Sequence, residues 1–217
     1  DSAHGTNPAS AALNGYEIVA VPSGPDGLLH AEAVAQVMSG DVAALMITNP
    51  STLGLFEEEI AAICEVVHAR GGLVYGDGAN LNALLGIARP GDLGIDVMHL
   101  NLHKTFSTPH GGGGPGAGPV GVAPRLLPFM PLPAVARDGE SYRLQDEQDL
   151  PRSIGRLSAH LGNAGVLLRA YVYARLLGRE GMQRVAEFAT LNANYLMVQL
   201  RQAGFEVAFP TRRASHE

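Results

Sequence analysis

Short apolar runs alternate with segments of helical periodicity through the first part of the chain. Apolar runs predict strands at 16–21, 43–48, 72–75 and 95–100. Helical patterns occupy 30–38 and 57–70, and the second pattern places on one face Ile60, Ile63, Cys64 and Val67. Because a helix between two apolar strands makes a βαβ unit, the pattern predicts an α/β fold with a mostly parallel sheet.

The helical pattern at 57–70 has recognisable end signals. Glu57, Glu58 and Glu59 are expected in its first turn, where the positive end of the helix dipole favours anions. Gly71 follows as a stop signal. The pattern therefore predicts one amphipathic helix over this whole range.

The sequence pattern changes after Pro124. Clustered prolines and a polar stretch at 137–152 predict a linker or an ordered loop over the site. Helical patterns follow at 161–177 and 181–202, and an apolar run predicts a strand at 205–209. We therefore expect part of a large α/β domain at 1–125, a linker at 126–160 and part of a smaller α+β domain at 161–217.

Composition argues against several classes of function. The net charge of −6 at pH 7, with no basic run, argues against a nucleic-acid partner. Cys64 is the only cysteine, so neither a disulfide framework nor a cysteine metal site is expected. The histidines lack metal-binding spacing, and no stretch of about 18 apolar residues predicts a membrane span. The chain begins at Asp1 without methionine and stops after the predicted strand at 205–209, so we expect both ends to be cut.

Polar side chains follow the ends of three predicted strands. Thr48 ends the strand at 43–48, Asp77 follows the strand at 72–75, and Lys104 follows the strand at 95–100. In an open parallel sheet, ligands bind outside the carboxyl ends of the strands. These three groups are therefore expected to converge on one rim of the sheet.

Lys104 is the strongest candidate for covalent chemistry. A lysine that leaves a buried strand toward a glycine-rich loop can be desolvated, lose its proton and condense with an aldehyde. The aldehyde cofactor pyridoxal phosphate (PLP) also needs an acid that faces its ring nitrogen, and Asp77 is the candidate. The alternatives are a surface lysine at 104 and a helix N-cap or turn residue at 77.

Other residues near the predicted rim have two interpretations each. His103 and the Thr105 hydroxyl can bind a phosphate, although His103 can also be a loop histidine. Asn80 can donate to the cofactor's phenolic oxygen or cap a helix. His4 can reach a substrate, and Thr6 or Asn7 can cap the helix that follows.

Glycines at 111–114, 116 and 118 form a loop whose amides can build an anion-binding nest. The alternative is a flexible loop. The segment is not a Walker loop, because no Gly-Lys-Ser/Thr closes it. The histidines at 99 and 103 alternate along the strand that leads into it and share a face.

Four motifs together closely resemble one family. They are Asp1-Ser2-Ala3-His4-Gly5-Thr6-Asn7-Pro8-Ala9-Ser10, Asn49-Pro50-Ser51-Thr52-Leu53-Gly54, Tyr75-Gly76-Asp77-Gly78-Ala79-Asn80 and Met98-His99-Leu100-Asn101-Leu102-His103-Lys104-Thr105-Phe106 with the glycines after it. They resemble glycine dehydrogenase (decarboxylating), the P-protein of the glycine cleavage system. The chain looks most like the lysine-bearing subunit 2 of organisms that divide the enzyme between two chains.

The resemblance implies a fold, a cofactor and residue roles. It implies the type I fold of PLP enzymes, with Lys104 as the Schiff-base lysine, Asp77 as the partner of the ring nitrogen and His103 near the cofactor. Cofactor contacts from Asn80, Thr48 and Thr6, and a catalytic role for His4, are expected as well. The family's upstream part, with its phosphate cup, is absent here, so this chain alone is expected to bind PLP weakly or not at all.

The resemblance also implies an activity and partners. The expected reaction is decarboxylation of glycine, with transfer of the aminomethyl group to the lipoyl arm of H-protein. A second P-protein subunit, in a heterotetramer or homodimer, is the expected partner. The expected location is the bacterial cytoplasm, or the mitochondrial matrix in a eukaryote. Two alternatives stay open: another type I PLP enzyme for small amino acids, and a catalytically silent piece that serves as an assembly surface.

Overall fold

The computed structural model describes residues 3–112, 116–158 and 160–217. The helices are α1 (Thr6–Leu13), α2 (Ala31–Val37), α3 (Ile60–Ala69), α4 (Leu102–Thr105) and α5 (Ala164–Gln202). The strands are β1 (Ala44–Thr48), β2 (Leu73–Asp77), β3 (Val97–His99), β4 (Val120–Val122), β5 (Ala134–Asp138) and β6 (Ser141–Gln145). Short 3₁₀ segments lie at Gly78–Ala83, Pro90–Leu93 and Pro124–Phe129.

The main sheet has the order β1-β2-β3-β4, and the first three strands are parallel. Strand β4 pairs antiparallel with β3. The register pairs Thr48 with Asp77, and Gly76 with Met98. The predicted α/β fold with a mostly parallel sheet is confirmed, and the polar ends of β1 and β2 lie side by side.

The main core lies between the sheet and the pair α2 and α3. Val34, Ile47, Ile63, Val67 and Val74 are fully buried there. Each adds on the order of 2 kcal/mol of burial free energy relative to an exposed side chain. A second, smaller cluster joins α4 to α5 through Leu102, Val166 and Ala170. Since successive strand residues face opposite ways, one face of β2 and β3 packs on α3 and the other faces away from it.

Three predicted boundaries differ from the structure. The segment 16–21 is not a strand; it is irregular and largely exposed, with Ile18 and Val19 facing solvent. The segment 205–209 is likewise not a strand. Apolar side chains alone do not make a strand, because a strand also needs a neighbour to accept its backbone hydrogen bonds.

The third difference is the start of α3, which begins at Ile60, three residues later than predicted. Glu57 therefore does not stand in the first turn. It is fully buried, its Oε2 accepts the backbone N–H of Leu29 (2.8 Å), and its own N–H donates to Asn49 Oδ1 (3.0 Å). Glu57 thus lies in the connection between β1 and α3, and its hydrogen bonds link the turn after β1 to the segment before α2.

The predicted linker contains ordered structure. Within 126–160, β5 and β6 form an antiparallel hairpin, with Ala134 opposite Gln145 and Asp138 opposite Ser141. The hairpin was not predicted, because a two-stranded ribbon with exposed faces has few core residues and therefore a polar composition. The division into three parts stays a prediction.

Helix α5 contains the break that the sequence predicted between its two helices. Gly178 has φ 61 and ψ −171, outside helical geometry, within the run Ala164–Gln202. Asn163 caps the start, where its Oδ1 accepts the N–H of Val166 (3.1 Å). Among the described residues, no helix is both long and apolar enough to cross a membrane.

Candidate functional site at the carboxyl ends of the parallel strands

Asp77 is the centre of a polar cluster at the carboxyl ends of β1 and β2. Its side chain is 1% exposed. His4 Nδ1 lies 2.7 Å from Asp77 Oδ2, and Asn7 Nδ2 donates to the same oxygen at 3.2 Å. Thr48 Oγ1 lies 3.4 Å from it. Asn7 on α1 and His4 just before that helix, both far away in sequence, thus bring two donors to the end of β2.

The other oxygen of Asp77 is held by the chain that follows. Asp77 Oδ1 accepts the backbone N–H of Ala79 (2.9 Å) and caps the 3₁₀ segment Gly78–Ala83. His99 Nε2 lies 3.6 Å from the same atom. Asp77 is therefore both a cap and the centre of a site, so the two interpretations of this residue are not exclusive.

The charge of Asp77 is stabilised despite its burial. Burial alone would raise its pKa, but the Ala79 hydrogen bond and the hydrogen bond and charge of His4 outweigh it, with a smaller effect of His99. The net result is a pKa below the ordinary value of 3.8. A buried, ionised carboxylate is chemically able to bind a protonated ring nitrogen.

Lys104 lies on α4, directly after β3, and α4 packs against the 3₁₀ segment that Asp77 caps. The amine and the carboxylate are thus at the same end of the sheet. The expectation of a buried amine is wrong for this structure, because Lys104 is exposed. It is nevertheless the only lysine among the 217 residues.

His103 and its neighbour Thr105 lie on the same helical turn. The His103 ring meets the His110 ring edge-on, with centroids 4.6 Å apart. Burial lowers the pKa of His103, and the charges of His110, Lys104 and His99 lower it further. Thr105 is 2% exposed, and its Oγ1 has no hydrogen-bond partner among the described residues.

Two predicted residues lie differently from expectation. Asn80 is buried and donates from Nδ2 to the carbonyl oxygens of Pro50 (2.9 Å) and Ser51 (3.3 Å). It therefore clamps the turn after β1 to the turn after β2. Thr6 is exposed at the start of α1. The predicted cap is wrong, because Gly5 holds the N-cap position and makes no side-chain cap hydrogen bond.

The structure adds three residues that were not among the predicted site residues. Asn7 is 3% exposed, and its side-chain amide donates hydrogen bonds to Thr48 Oγ1 and Asp77 Oδ2. His99 lies beside Asp77 Oδ1, and Tyr75 contacts the other ring nitrogen of His99. All three side chains share one face of the sheet. The strand alternation contained this signal, since Tyr75 and Asp77 are two residues apart on β2.

His216 reaches the site from the far end of the chain. Its side chain is 5% exposed, and the charges of Lys104 and His4 act on it. Burial lowers the pKa of His216, partly opposed by the charge of Glu217. The segment that carries it is held at the turn after β1, where Ser215 N–H donates to Gly54 O (2.7 Å). No sequence pattern connects this histidine to the rim.

The glycine loop is described only in part. Gly111 and Gly112 have positive φ angles of 63° and 69°, which favour glycine. Residues 113–115, with two of the predicted nest glycines, lie outside the described residues, as do Asp1 and Ser2. Within the described ranges, no group of three or more histidine, cysteine, aspartate or glutamate side chains is arranged to hold a metal ion.

The mostly parallel sheet, with Lys104 and Asp77 at the same end, has the type I fold of PLP enzymes, as predicted. A solved glycine decarboxylase (P-protein) of the glycine cleavage system superposes with a TM-score of 0.74 at 21% identity, over 99% of this chain and 50% of that one. TDC of Oryza sativa, solved with PLP and tryptamine, superposes with a TM-score of 0.65 at 17% identity, over 99% of this chain and 43% of that one.

The sequence relatives are more specific. Probable glycine dehydrogenase (decarboxylating) subunit 2 of Nitrosospira multiformis is 65% identical over all 217 residues, which cover 43% of that protein. The protein of the same name from Thiobacillus denitrificans is 66% identical over the same span, 45% of its length. The predicted resemblance is therefore confirmed along the whole chain. The chain spans less than half the length of these relatives, and no protein-family model matches it.

Proposed function

We propose that this chain carries the lysine and the ring-facing acid of a PLP-dependent glycine decarboxylase. One observation carries the proposal. The only lysine, Lys104, and the buried, ionised Asp77 follow adjacent parallel strands at the same end of the sheet. An amine that binds an aldehyde and an acid that keeps a pyridine nitrogen protonated are the two groups PLP chemistry needs.

The residues at the rim fit the cofactor. Asp77 has a lowered pKa and lies 2.7 Å from a nitrogen of the His4 ring, so it already receives the kind of contact that a protonated pyridine ring would make. Thr105 Oγ1 and Thr108 Oγ1 are buried without partners among the described residues. Buried hydroxyls normally have a partner, so these two are candidates to bind the phosphate together with His103.

Bound PLP would supply an electron sink for the pair left when carbon dioxide departs from glycine. The residues of the chain supply the electrostatics. Asp77 holds a negative charge that keeps the facing nitrogen protonated. Asn7 and Thr48 orient that carboxylate, and His4 closes one side of it. The low pKa of His103 keeps that ring neutral near neutral pH, so it can accept or relay a proton.

The proposed substrates and partners follow from the relatives. Glycine is the proposed substrate, and the lipoyl arm of H-protein is the proposed acceptor of the aminomethyl group. A second P-protein subunit is proposed to complete the site with the phosphate cup. The relatives named above are bacterial, so the bacterial cytoplasm is the proposed location.

Borohydride reduction tests the cofactor assignment. The full-length protein with its partner subunit is incubated with PLP, reduced and digested, and the peptides are mapped by mass spectrometry. The pyridoxyl group is expected on the peptide that contains Lys104, and Lys104→Arg should remove it while keeping the charge. A pyridoxyl peptide without Lys104 would overturn the assignment.

Isotope exchange tests the reaction. Labelled bicarbonate is expected to enter the carboxyl group of glycine when lipoylated H-protein is present. Alanine and serine serve as control amino acids. Exchange into one of them in preference to glycine would favour another type I PLP enzyme of small amino acids.

A second candidate is an assembly surface, and the exposed apolar side chains of α5 favour it. Leu168, Tyr171, Leu176, Phe188 and Tyr195 are each more than half exposed. Large exposed apolar side chains on one helix are typical of a surface that another chain or domain covers. A chain that forms a defined oligomer in size-exclusion chromatography, with no PLP bound at any concentration, would support this function for the isolated chain.

A further inference from the structure

We propose that Tyr75 and His99 form a positioning pair behind Asp77, in which Tyr75 holds His99 as the neutral tautomer with its proton on Nε2. The effect is that His99 adds no positive charge next to Asp77 Oδ1. This inference rests on the proposed role of Asp77, and it concerns the Oδ1 atom of the carboxylate, whereas His4 and Asn7 contact Oδ2.

The three side chains share one face of the sheet. Asp77 and Tyr75 are two residues apart on β2, and Gly76 pairs with Met98 one position before His99. Tyr75 Oη lies 2.5 Å from His99 Nδ1, and the two rings are nearly parallel, with 8° between their planes. On the other side of the ring, His99 Nε2 lies 3.0 Å from Asn101 Oδ1 and 3.6 Å from Asp77 Oδ1.

These contacts determine where the proton of His99 lies. Burial raises the pKa of Tyr75 to about 12, and the charge of Asp77 adds to this, so the tyrosine keeps its proton. A protonated phenol can donate to or accept from a ring nitrogen, and in the proposed pair its O–H donates to Nδ1. The remaining ring proton then lies on Nε2, where both neighbours, Asn101 Oδ1 and Asp77 Oδ1, are acceptors.

Without the tyrosine, the carboxylate would favour a different state of the ring. A carboxylate at 3.6 Å stabilises an imidazolium. A positively charged His99 would offset the negative charge of Asp77 and weaken the attraction of this carboxylate for a protonated ring nitrogen. The groups facing His99 are Asp77 and Tyr75 on β2, Asn101 after β3 and His103 on α4. Of these, Tyr75 opposes the imidazolium directly, through its hydrogen bond to Nδ1.

Nitrogen NMR of the ¹⁵N-histidine-labelled protein without cofactor tests the pair directly. His99 is expected as the neutral Nε2–H tautomer at pH 7, assigned by its absence in His99→Gln. Tyr75→Phe should shift it toward imidazolium, whereas Tyr142→Phe, on an exposed tyrosine of β6, should not. A wild-type His99 that is already imidazolium, or protonated on Nδ1 alone, overturns the proposal.

Kinetics of the complete enzyme test whether the pair acts through Asp77. Tyr75→Phe should lower kcat by about tenfold with little change in KM for glycine, the scale typical of a hydrogen bond lost behind a functional group. His99→Gln keeps an N–H donor and cannot become charged. In that background Tyr75→Phe should have no further effect. An equal loss in both backgrounds overturns the pair.

The two readouts separate this inference from the proposed function. If Lys104 carries no pyridoxyl group but His99 has the expected tautomer, the cofactor assignment has failed and the pair stands. If Lys104 is labelled and His99 is charged, the pair has failed and the cofactor assignment stands.

Discussion

Two buried aspartates among the described residues, Asp77 and Asp96, have lowered pKa values, and their surroundings differ. Asp77 lies at the carboxyl end of β2, while Asp96 directly precedes β3, about three residues or 10 Å nearer the amino ends of the strands. Asp96 faces α3, where it accepts from His68 Nε2 (2.8 Å) and from the backbone N–H of Val74 (2.8 Å). Arg125, after β4, forms an ion pair with its other oxygen.

The difference between the two aspartates lies in their cationic partners. Arg125 is always protonated, so the charge of Asp96 is matched permanently within the chain. Among the described residues, the partners of Asp77 are imidazoles and neutral donors, and none of them is a permanent cation. Asp96 therefore stabilises the packing of the strands, whereas Asp77 stays the proposed partner of an external group. Burial and a low pKa alone do not distinguish a structural acid from a functional one.

Exchanging Asp77 for asparagine is expected to have the largest effect. Asp77→Asn keeps the shape and removes the charge, so kcat for glycine decarboxylation should fall by on the order of 10²–10³. The pyridoxyl group should still form on Lys104 after reduction. The matched control is Asp96→Asn, which should leave kcat per folded molecule within about twofold. Comparable losses in both variants would remove the distinction drawn above.

Gly78→Ala is expected to disturb the site through the backbone. A Cβ at this position would overlap the carbonyl oxygen of His99, a backbone atom that cannot move without shifting β3. We expect a loss of about 3 kcal/mol in the free energy of unfolding, measured in urea. Gly91→Ala, where a Cβ would meet nothing within 4 Å, is the control and should change it by less than about 1 kcal/mol. If Gly78→Ala left the free energy of unfolding unchanged, the backbone at Gly78 would not lie so close to the carbonyl oxygen of His99.

Asp96→Asn should lower the free energy of unfolding by about 2 kcal/mol, because Arg125 and His68 lose their partner but both stay partly exposed. The pKa of Asp96 is lowered in the folded state, so its contribution is present above the ordinary pKa of 3.8 and is lost as pH falls through the folded value. The urea stabilities of wild type and variant should therefore converge in acid. A constant difference at all pH values would contradict this assignment.

Glu57→Gln is expected to have the smallest effect on stability. The contribution of Glu57 changes with pH in the opposite direction to that of Asp96. Glu57 is a third buried carboxyl, and burial raises its pKa, only partly opposed by the Leu29 hydrogen bond. The folded state thus holds a proton that the unfolded state releases above about pH 4.5, so stability falls as pH rises through this window. Glu57→Gln should remove that decline while keeping the Leu29 contact. An unchanged pH profile would show that another group is responsible.

Much of the rim was predictable from local sequence signals. The apolar runs that became β1, β2 and β3 stood out because strands buried on both faces need continuous apolar residues. Lys104, Asp77 and Thr48 followed from the positions where those runs end. Asn7, His99 and His216 did not, because each acquires its role only from a neighbour distant in the chain. The hairpin β5–β6 was missed for a related reason, since its backbone pairing has no apolar signature.

By itself, the sequence determined the strand–helix alternation, the side of the sheet where chemistry is expected, and the single amine able to carry it. These depend on residue type and on spacing within a few positions. Only the tertiary structure decided which carboxylate is balanced by a permanent cation and which by imidazoles. It also placed Tyr75 and His99 behind Asp77 and left Lys104 exposed. Charge balance and burial are properties of neighbours in space, and the folded backbone brings residues such as His4 and Asp77, 73 positions apart, into one hydrogen bond.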